Sequence, residues 1–129
     1  MRKGKFTAKE TTVESVLKIY KQYASFEGRV NRQTYWMFIL FYTISYMVSY
    51  VLDVLADAGG LLCWLFVLVS IVPMVATTTR RLHDIEKSGW WQILISNPIG
   101  EIVLIVFLVK EGTKGENKFG LDPINREAE

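Results

Sequence analysis

Three long runs of apolar residues constrain the fold of this chain more than any other feature of its sequence. The runs cover about residues 35–56, 59–79 and 90–109. Each is long enough to cross a hydrocarbon core of about 30 Å as a helix. The first two lack the polar stripe of a helix that packs on a soluble core. We therefore predict an all-α integral membrane protein, a helical bundle with about three membrane segments.

Two other classes of protein fit the apolar runs less well. A soluble protein would have to bury all three runs within 129 residues, half of which are hydrophobic. A secreted protein is suggested by Ala56-Asp57-Ala58, which resembles a signal-peptidase site. More than thirty residues precede the first run, however, and the run exceeds the core of about 7–15 residues that signal peptides have.

The third run contains polar and helix-breaking residues near its middle. Asn97 suits a helix N-cap and Pro98 suits a first helical position, so we predict that one helix ends and another begins there. Glu101 follows the break and either pairs with a neighbouring helix or acts as a transport or catalytic carboxylate. The sequence leaves open whether this segment crosses the membrane or turns back, and hence on which side the carboxyl terminus lies.

The charges outside the runs predict an orientation. Residues 1–34 contain eight Lys or Arg and three acidic residues, whereas the link between the first two runs holds only Asp53 and Asp57. The positive-inside rule therefore places the amino terminus in the cytoplasm. The link between the second and third runs carries Arg80, Arg81 and Lys87, so we place it on the cytoplasmic side as well.

The regions around the runs divide the chain into four parts. These are a disordered basic amino terminus (1–10), an amphipathic helix (11–26), a single membrane domain with a glycine-rich carboxyl-terminal loop (27–123) and a flexible tail (124–129). Thr11 and Glu14 fit a capping box before apolar residues at helical spacing. The amphipathic helix either lies in the membrane interface or packs on the cytoplasmic end of the bundle.

Three motifs flank the apolar runs. They are Tyr23–Arg32 followed by Tyr35-Trp36, Arg80–Ile85 followed by Ser88–Trp91, and Gly112–Gly120 followed by Leu121–Pro123. Their order and spacing resemble the domain-of-unknown-function 805 family, whose members are small bacterial inner-membrane proteins. The resemblance extends from about Tyr20 to Pro123. It implies a multi-pass inner-membrane protein and no particular reaction, and Glu101 departs from the apolar residue expected there.

The first motif places cations beside interfacial aromatic residues. Arg29 and Arg32 precede Tyr35 and Trp36, so we predict that they anchor the chain among lipid headgroups. Gly28 permits a sharp corner before the first span. A substrate site is the alternative for this group.

The second motif gathers four polar residues in one helical turn. Arg80 and Asp84 have the spacing of an ion pair. Alternatively, Arg81 and His83 bind an anionic group such as a lipid phosphate, and Asp84 orients the imidazole or takes part in acid–base catalysis. The sequence supplies no nucleophile with a base, and a lone Cys63 leaves no zinc site.

The residues after this turn mark the next membrane entry. Ser88 and Gly89 form a short turn, and Trp90 and Trp91 are typical of an interfacial aromatic belt.

The glycine-rich loop resembles a phosphate-binding loop only in spacing. Leu121 stands where the essential lysine would be, so we interpret the loop as a chain of turns. Gly112, Gly115 and Gly120 are expected to supply positive φ angles, with a local cap at Asn117. Asp122-Pro123 closes the loop. If the tail is cytoplasmic, Asp122 can reach Arg80 or Arg81.

These features predict a non-enzymatic inner-membrane protein with a basic, aromatic cytoplasmic face. Its expected partners are membrane lipids, together with a second copy of the chain or a partner membrane protein. A net charge of +2 argues against nucleic acid, and we expect no cofactor or metal. The alternatives are an enzyme acting on lipid phosphates through His83 and Asp84 and an oligomeric transporter using Glu101.

Overall fold

A computed structural model of the chain describes residues 13, 14, 17, 21 and 24–123. Its helices are α1 (Arg32–Leu55), α2 (Leu61–Asp84), a 3-10 helix (Gly89–Ser96) and α3 (Pro98–Val109). The described residues contain no strand, only an isolated antiparallel bridge between Asn117 and Gly120. The prediction of an all-helical fold is confirmed.

The segments before α1 and after the loop are only partly described. Of the amphipathic helix predicted at 11–26, the residues at 13, 14, 17 and 21 are helical and exposed, whereas 24–26 are not helical. The remainder of that helix, together with the predicted disordered terminus 1–10 and tail 124–129, lies outside the described residues.

Helices α1 and α2 form an antiparallel pair joined by a tight turn. Gly59 and Gly60 adopt φ angles of 61° and 92° in this turn, a conformation that favours glycine. Asp53 accepts a hydrogen bond of 2.9 Å from the backbone N–H of Cys63. A side chain of α1 thus satisfies a donor at the start of α2, where helical N–H groups lack partners within the helix.

Both long helices have the dimensions and surface of membrane-crossing helices. Each contains 24 residues, which corresponds to about 36 Å at the usual rise per residue, against a hydrocarbon core of about 30 Å. Only 11% of the most apolar window of α1 and 28% of that of α2 are buried. Helices of a soluble core would bury most of this surface.

The third apolar segment is broken, as the sequence predicts. The 3-10 helix ends at Ser96, and α3 begins at Pro98. The Asn97 side chain accepts a hydrogen bond of 2.8 Å from the backbone N–H of Gly100, which confirms the predicted N-cap. The 12 residues of α3 extend for only about 18 Å.

This segment begins and ends at the same end of the helix pair. A Cβ atom at Gly89 would lie 2.6 Å from Thr79 Cγ2, so the start of the 3-10 helix packs on the last turns of α2. At the other end of the segment, the Arg81 side chain donates to the carbonyls of Leu108 and Lys110. We name this end of the molecule, with the start of α1 and the loop 110–122, the polar end.

The apolar core is small and lies beside the polar end. It is formed by residues of the first motif, α2 and α3, namely Val30, Tyr35, Leu82, Leu104 and Leu108. The buried apolar cluster therefore lies where the three sequence motifs meet, and farther along the helix pair Phe66 of α2 packs against Tyr42 and Tyr46 of α1.

Candidate functional site

Asp84 ends α2, and its carboxylate binds two arginines. Oδ1 accepts a hydrogen bond of 2.9 Å from Arg29 Nε, and Arg29 Nη2 lies 2.8 Å from the same oxygen. Oδ2 accepts a hydrogen bond of 2.7 Å from Arg81 Nη1. All three side chains are 2% exposed or less. We name Arg29, Arg81 and Asp84 the buried ion cluster.

The partners of Asp84 differ from the one that helical spacing indicates. Spacing within α2 pointed to Arg80, one turn earlier. The observed ion pairs join Asp84 to Arg81 in the same turn and to Arg29, which lies 55 positions earlier in the chain. Arg29 was expected among lipid headgroups and is instead an interior residue.

Buried charges are stable only when they are paired and hydrogen-bonded, and this cluster meets both conditions. The guanidinium N–H groups that do not face Asp84 donate to backbone carbonyls. Arg81 Nε binds the Leu108 carbonyl at 3.2 Å, and Arg81 Nη2 binds that of Lys110. Arg29 donates to the carbonyls of Thr113, Gly115 and Gly120, at 2.5, 2.7 and 3.2 Å. The cluster thereby joins α2 to the first motif, to α3 and to the loop.

The glycine-rich loop packs directly against the end of α2. Gly115 and Gly120 have φ angles of 75° and 135°, as predicted. The same prediction for Gly112 is wrong, because its φ angle is not positive. Glycine is needed there for a different reason: a Cβ atom would overlap the Asp84 carboxylate. The next residue, Thr113, donates its N–H to the Asp84 carbonyl at 2.7 Å.

His83 lies between the first and third motifs. Its Nδ1 atom is 2.9 Å from the Gly28 carbonyl oxygen. The imidazole is therefore oriented by this carbonyl and not, as the sequence had suggested, by Asp84. The Phe119 ring stacks on the imidazole with centroids 3.9 Å apart. Asn117 donates to the His83 carbonyl at 3.0 Å and accepts from the Phe119 N–H at 2.8 Å, which confirms its predicted capping role.

Other predicted residues of the motifs are also held within the polar end. Arg80 is buried and donates to Thr77 Oγ1 at 3.4 Å, and its carbonyl accepts from the Val30 N–H. Asp122 is buried and accepts a hydrogen bond of 2.8 Å from the Gly115 N–H. Its contact with one of the two adjacent arginines of α2 stays a prediction. Gly28 has a φ angle of 89°, in agreement with the predicted corner.

Three cations with exposed or partly exposed side chains surround the carboxyl end of α3. Arg32 Nη1 donates to the last carbonyl of this helix at 3.3 Å, and Lys110 is its C-cap residue. Lys87 Nζ lies 5.1 Å from the Trp91 ring centroid and 5.3 Å from that of Phe107. Cations are favourable at a helix carboxyl end and over aromatic rings. We name Arg32, Lys87 and Lys110 the basic rim.

Of the basic rim, only Arg32 was predicted from the sequence to be a binding residue. Lys110 directly follows the third apolar run and Lys87 lies three residues before it, and this position near a hydrophobic boundary is the signal that could have identified them.

The predicted interfacial aromatic residues lie near the polar end. Trp36 is in the first turn of α1, and Trp90 and Trp91 begin the 3-10 helix. Trp90 is 85% exposed, whereas Trp91 packs edge-on against Phe107. Glu101 is at the opposite end of α3, exposed in the first turn.

The arrangement limits the chemistry available at this site. Over the described part of the chain, no three His, Cys, Asp or Glu side chains are grouped closely enough to hold a metal ion. Of the six residues predicted to bind an anion, Arg29, Arg81 and Asp84 bind one another, and only Arg32 is exposed.

The fold and the site define a small helical protein with two helices able to cross a membrane and a polar end closed by buried ion pairs. Comparison with protein families identifies the family within this class. The chain belongs to the family described as protein of unknown function (DUF805), whose model matches residues 23–121 and so includes most of all three motifs. The resemblance noted in the sequence is confirmed.

Two of three relatives in Escherichia coli K12 carry names that give a location. Inner membrane protein YhaH is 42% identical over 113 residues, which cover 83% of this chain and 93% of the relative. Inner membrane protein YhaI is 41% identical over 112 residues, with 83% and 92% covered. Uncharacterized protein YiiR is 28% identical over 130 residues, with 76% and 85% covered. No solved structure matches the chain.

Proposed function

We propose that this chain is a non-enzymatic, multi-pass protein of the bacterial inner membrane whose basic rim binds anionic lipid headgroups. Helices α1 and α2 cross the membrane, the broken third segment enters it, and the helix before α1 lies along the interface. The polar end faces the cytoplasm. The basic residues before α1 and the acidic α1–α2 turn favour this orientation. The names of two relatives support the location.

The position of the basic rim is the observation that carries this proposal. Lys87 stacks over Trp91 and Phe107, and Arg32 stands at the start of α1, where exposed apolar surface begins. Cations beside aromatic rings at such a boundary lie at the depth of lipid headgroups. Phosphate groups of anionic lipids are the negative charges available at that depth.

The buried ion cluster supports the rim as the lipid-binding group. The donors of Arg29 and Arg81 are directed to Asp84 and to five backbone carbonyls, so both guanidinium groups already have their partners inside the protein. A headgroup would have to displace these contacts to reach either arginine. The rim cations are accessible without any rearrangement.

The surroundings of His83 and Asp84 favour a non-enzymatic role. A general acid or base must reach the proton that it transfers. Phe119 covers one face of the His83 ring, the Gly28 carbonyl faces Nδ1, and the Asp84 carboxylate is buried between two arginines.

Retention of lipids during purification tests the proposal. The full-length protein is extracted in mild detergent, and the bound phosphatidylglycerol and phosphatidylethanolamine are counted by native mass spectrometry. K87Q/K110Q removes two rim charges, and K114Q/K118Q removes two charges from the loop as a matched control. An exposed lysine contributes about 1 kcal/mol to anionic membrane binding, so two lysines correspond to roughly 30-fold in affinity.

We expect K87Q/K110Q to retain less phosphatidylglycerol than the unsubstituted protein and K114Q/K118Q to retain the same amount. The amount of bound phosphatidylethanolamine should be unchanged in both variants. Equal losses in both variants would contradict a localised site. Unchanged retention in K87Q/K110Q would remove the lipid role and leave a partner membrane protein as the ligand of this surface.

A further inference from the structure

The segment Gly89–Val109, which we name the short hairpin, has the geometry of a structure that enters a membrane and returns without crossing it. Its first arm is the 3-10 helix and its second arm is α3. Gly89 packs on Thr79, and Arg81 binds the carbonyls of Leu108 and Lys110 at the carboxyl end of α3. Both contacts are with the last two turns of α2, so the two arms share one base.

The length of the short hairpin fits one leaflet. The 12 residues of α3 extend for about 18 Å, whereas half of the hydrocarbon core is about 15 Å thick. The same 12 residues cannot cross the full core of about 30 Å.

Three backbone N–H groups at the tip of the short hairpin find acceptors within the tip itself, as a segment surrounded by lipid requires. The Asn97 N–H donates to the Leu94 carbonyl at 3.4 Å, and the Asn97 carbonyl accepts from the Glu101 N–H at 2.9 Å. The Asn97 side chain accepts from the Gly100 N–H. A Cβ atom at Gly100 would overlap the Leu94 carbonyl, so the two arms meet closely at the tip.

The outer surface of the short hairpin is apolar along both arms, and its exposed polar residues, Ser96, Asn97 and Glu101, are confined to the tip. Its most exposed large side chains, each more than half exposed, are Trp90, Ile93, Ile95, Ile99, Ile102 and Val106. A groove for a protein partner would leave one apolar face, whereas exposed apolar side chains lie on several sides of this segment.

We infer that the short hairpin is embedded in the cytoplasmic leaflet alone, with lipid acyl chains as its partner, and that the chain returns to the cytoplasm after Val109. This inference rests on the proposed crossing of the membrane by α1 and α2. The loop and residues 24–31 then share one side of the membrane, as the contacts of Arg29 with the loop require.

Site-directed labelling of full-length protein tests this topology. In a Cys63→Ala background, single substitutions Glu27→Cys, Asp57→Cys, Ile99→Cys and Lys114→Cys place thiols before α1, in the α1–α2 turn, near the tip and in the loop. All four positions are exposed. Each variant is treated with a membrane-impermeant maleimide in spheroplasts and in inverted inner-membrane vesicles, and again in detergent. Glu116→Cys, also exposed, gives a second reporter in the loop.

We expect the thiols at positions 27 and 114 to be labelled in inverted vesicles but not in spheroplasts, and the thiol at position 57 to be labelled in spheroplasts but not in inverted vesicles. The thiol at position 99 should be labelled only after detergent is added. Labelling at 114 and 116 in spheroplasts would show that the segment crosses the membrane and would overturn the inference. Labelling at 99 in inverted vesicles would place the tip in water and overturn it as well. Labelling of 27 and 57 on one side would instead refute the two crossings in the proposed function.

Discussion

Replacing Arg29 by methionine removes one arm of the buried ion cluster while keeping a long apolar side chain. Removing one partner of a buried pair costs about 3–5 kcal/mol, and Asp84 keeps Arg81, so we take about 3 kcal/mol for this term. Three loop carbonyls also lose their donor. They lie in a partly exposed loop where water can replace the guanidinium, which adds about 1 kcal/mol. The free energy of unfolding should therefore fall by about 4 kcal/mol.

Arg32→Met is the matched control for this prediction. Arg32 is exposed and makes one hydrogen bond of 3.3 Å to a carbonyl of α3, so its loss should cost about 0.5 kcal/mol. Both variants are unfolded reversibly in mixed micelles of mild detergent and dodecyl sulfate, and proteolysis of the loop is followed in parallel. Arg29→Lys should recover only part of the loss, because an ammonium group cannot reproduce the five-donor fork.

Two results would refute this reasoning. One is a difference of less than about 1 kcal/mol between Arg29→Met and Arg32→Met, since the buried pair would then contribute no more than a surface contact. The other is additivity of Arg29→Met and Asp84→Asn in a double-mutant cycle, because contacting residues normally show a coupling of at least about 0.5 kcal/mol.

Three further substitutions probe separate contacts of the polar end and the short hairpin. Gly112→Ala places a methyl group against the Asp84 carboxylate and should lower the free energy of unfolding by about 1–3 kcal/mol, with faster proteolysis of the loop. Phe119→Ala removes the stack on His83 and should raise hydrogen exchange of the loop amides, corresponding to about 1 kcal/mol. Asn97→Ala removes the N-cap of α3 and should cost about 1 kcal/mol, seen as faster exchange in its first turn.

Each substitution has an exposed neighbour as its control. Glu111→Ala, Leu121→Ala and Ser96→Ala truncate side chains that point to the surface beside Gly112, Phe119 and Asn97 respectively. A control that matches its test variant in proteolysis or exchange would mean that the contact named above does not stabilise the structure.

The two long apolar helices and the break between the short helices could be predicted because local rules determine them. Uncharged runs of sufficient length specify α1 and α2, and the Asn97-Pro98 pair ends one helix and starts the next. The corner at Gly28 followed in the same way from the freedom of glycine to adopt positive φ.

The partners of Asp84 could not be predicted, because they depend on how distant segments pack. Helical spacing favours pairs within one helix, whereas Arg29 approaches Asp84 only after α1 and α2 have paired. Gly112 was assigned a positive φ angle because that is the usual reason for glycine in a loop. Its actual role, close approach to a buried carboxylate, depends on tertiary structure alone.

The distribution of the buried ion cluster along the chain has a consequence for biosynthesis. Its first arginine is made early, but the three loop carbonyls that bind this arginine lie at positions 113, 115 and 120, which are 84 to 91 positions later in the chain. A chain interrupted before the loop still contains α1 and α2 but leaves Arg29 without these acceptors. The polar end therefore cannot close until the loop has been synthesised, and we expect chains truncated before the loop to be left open to proteases.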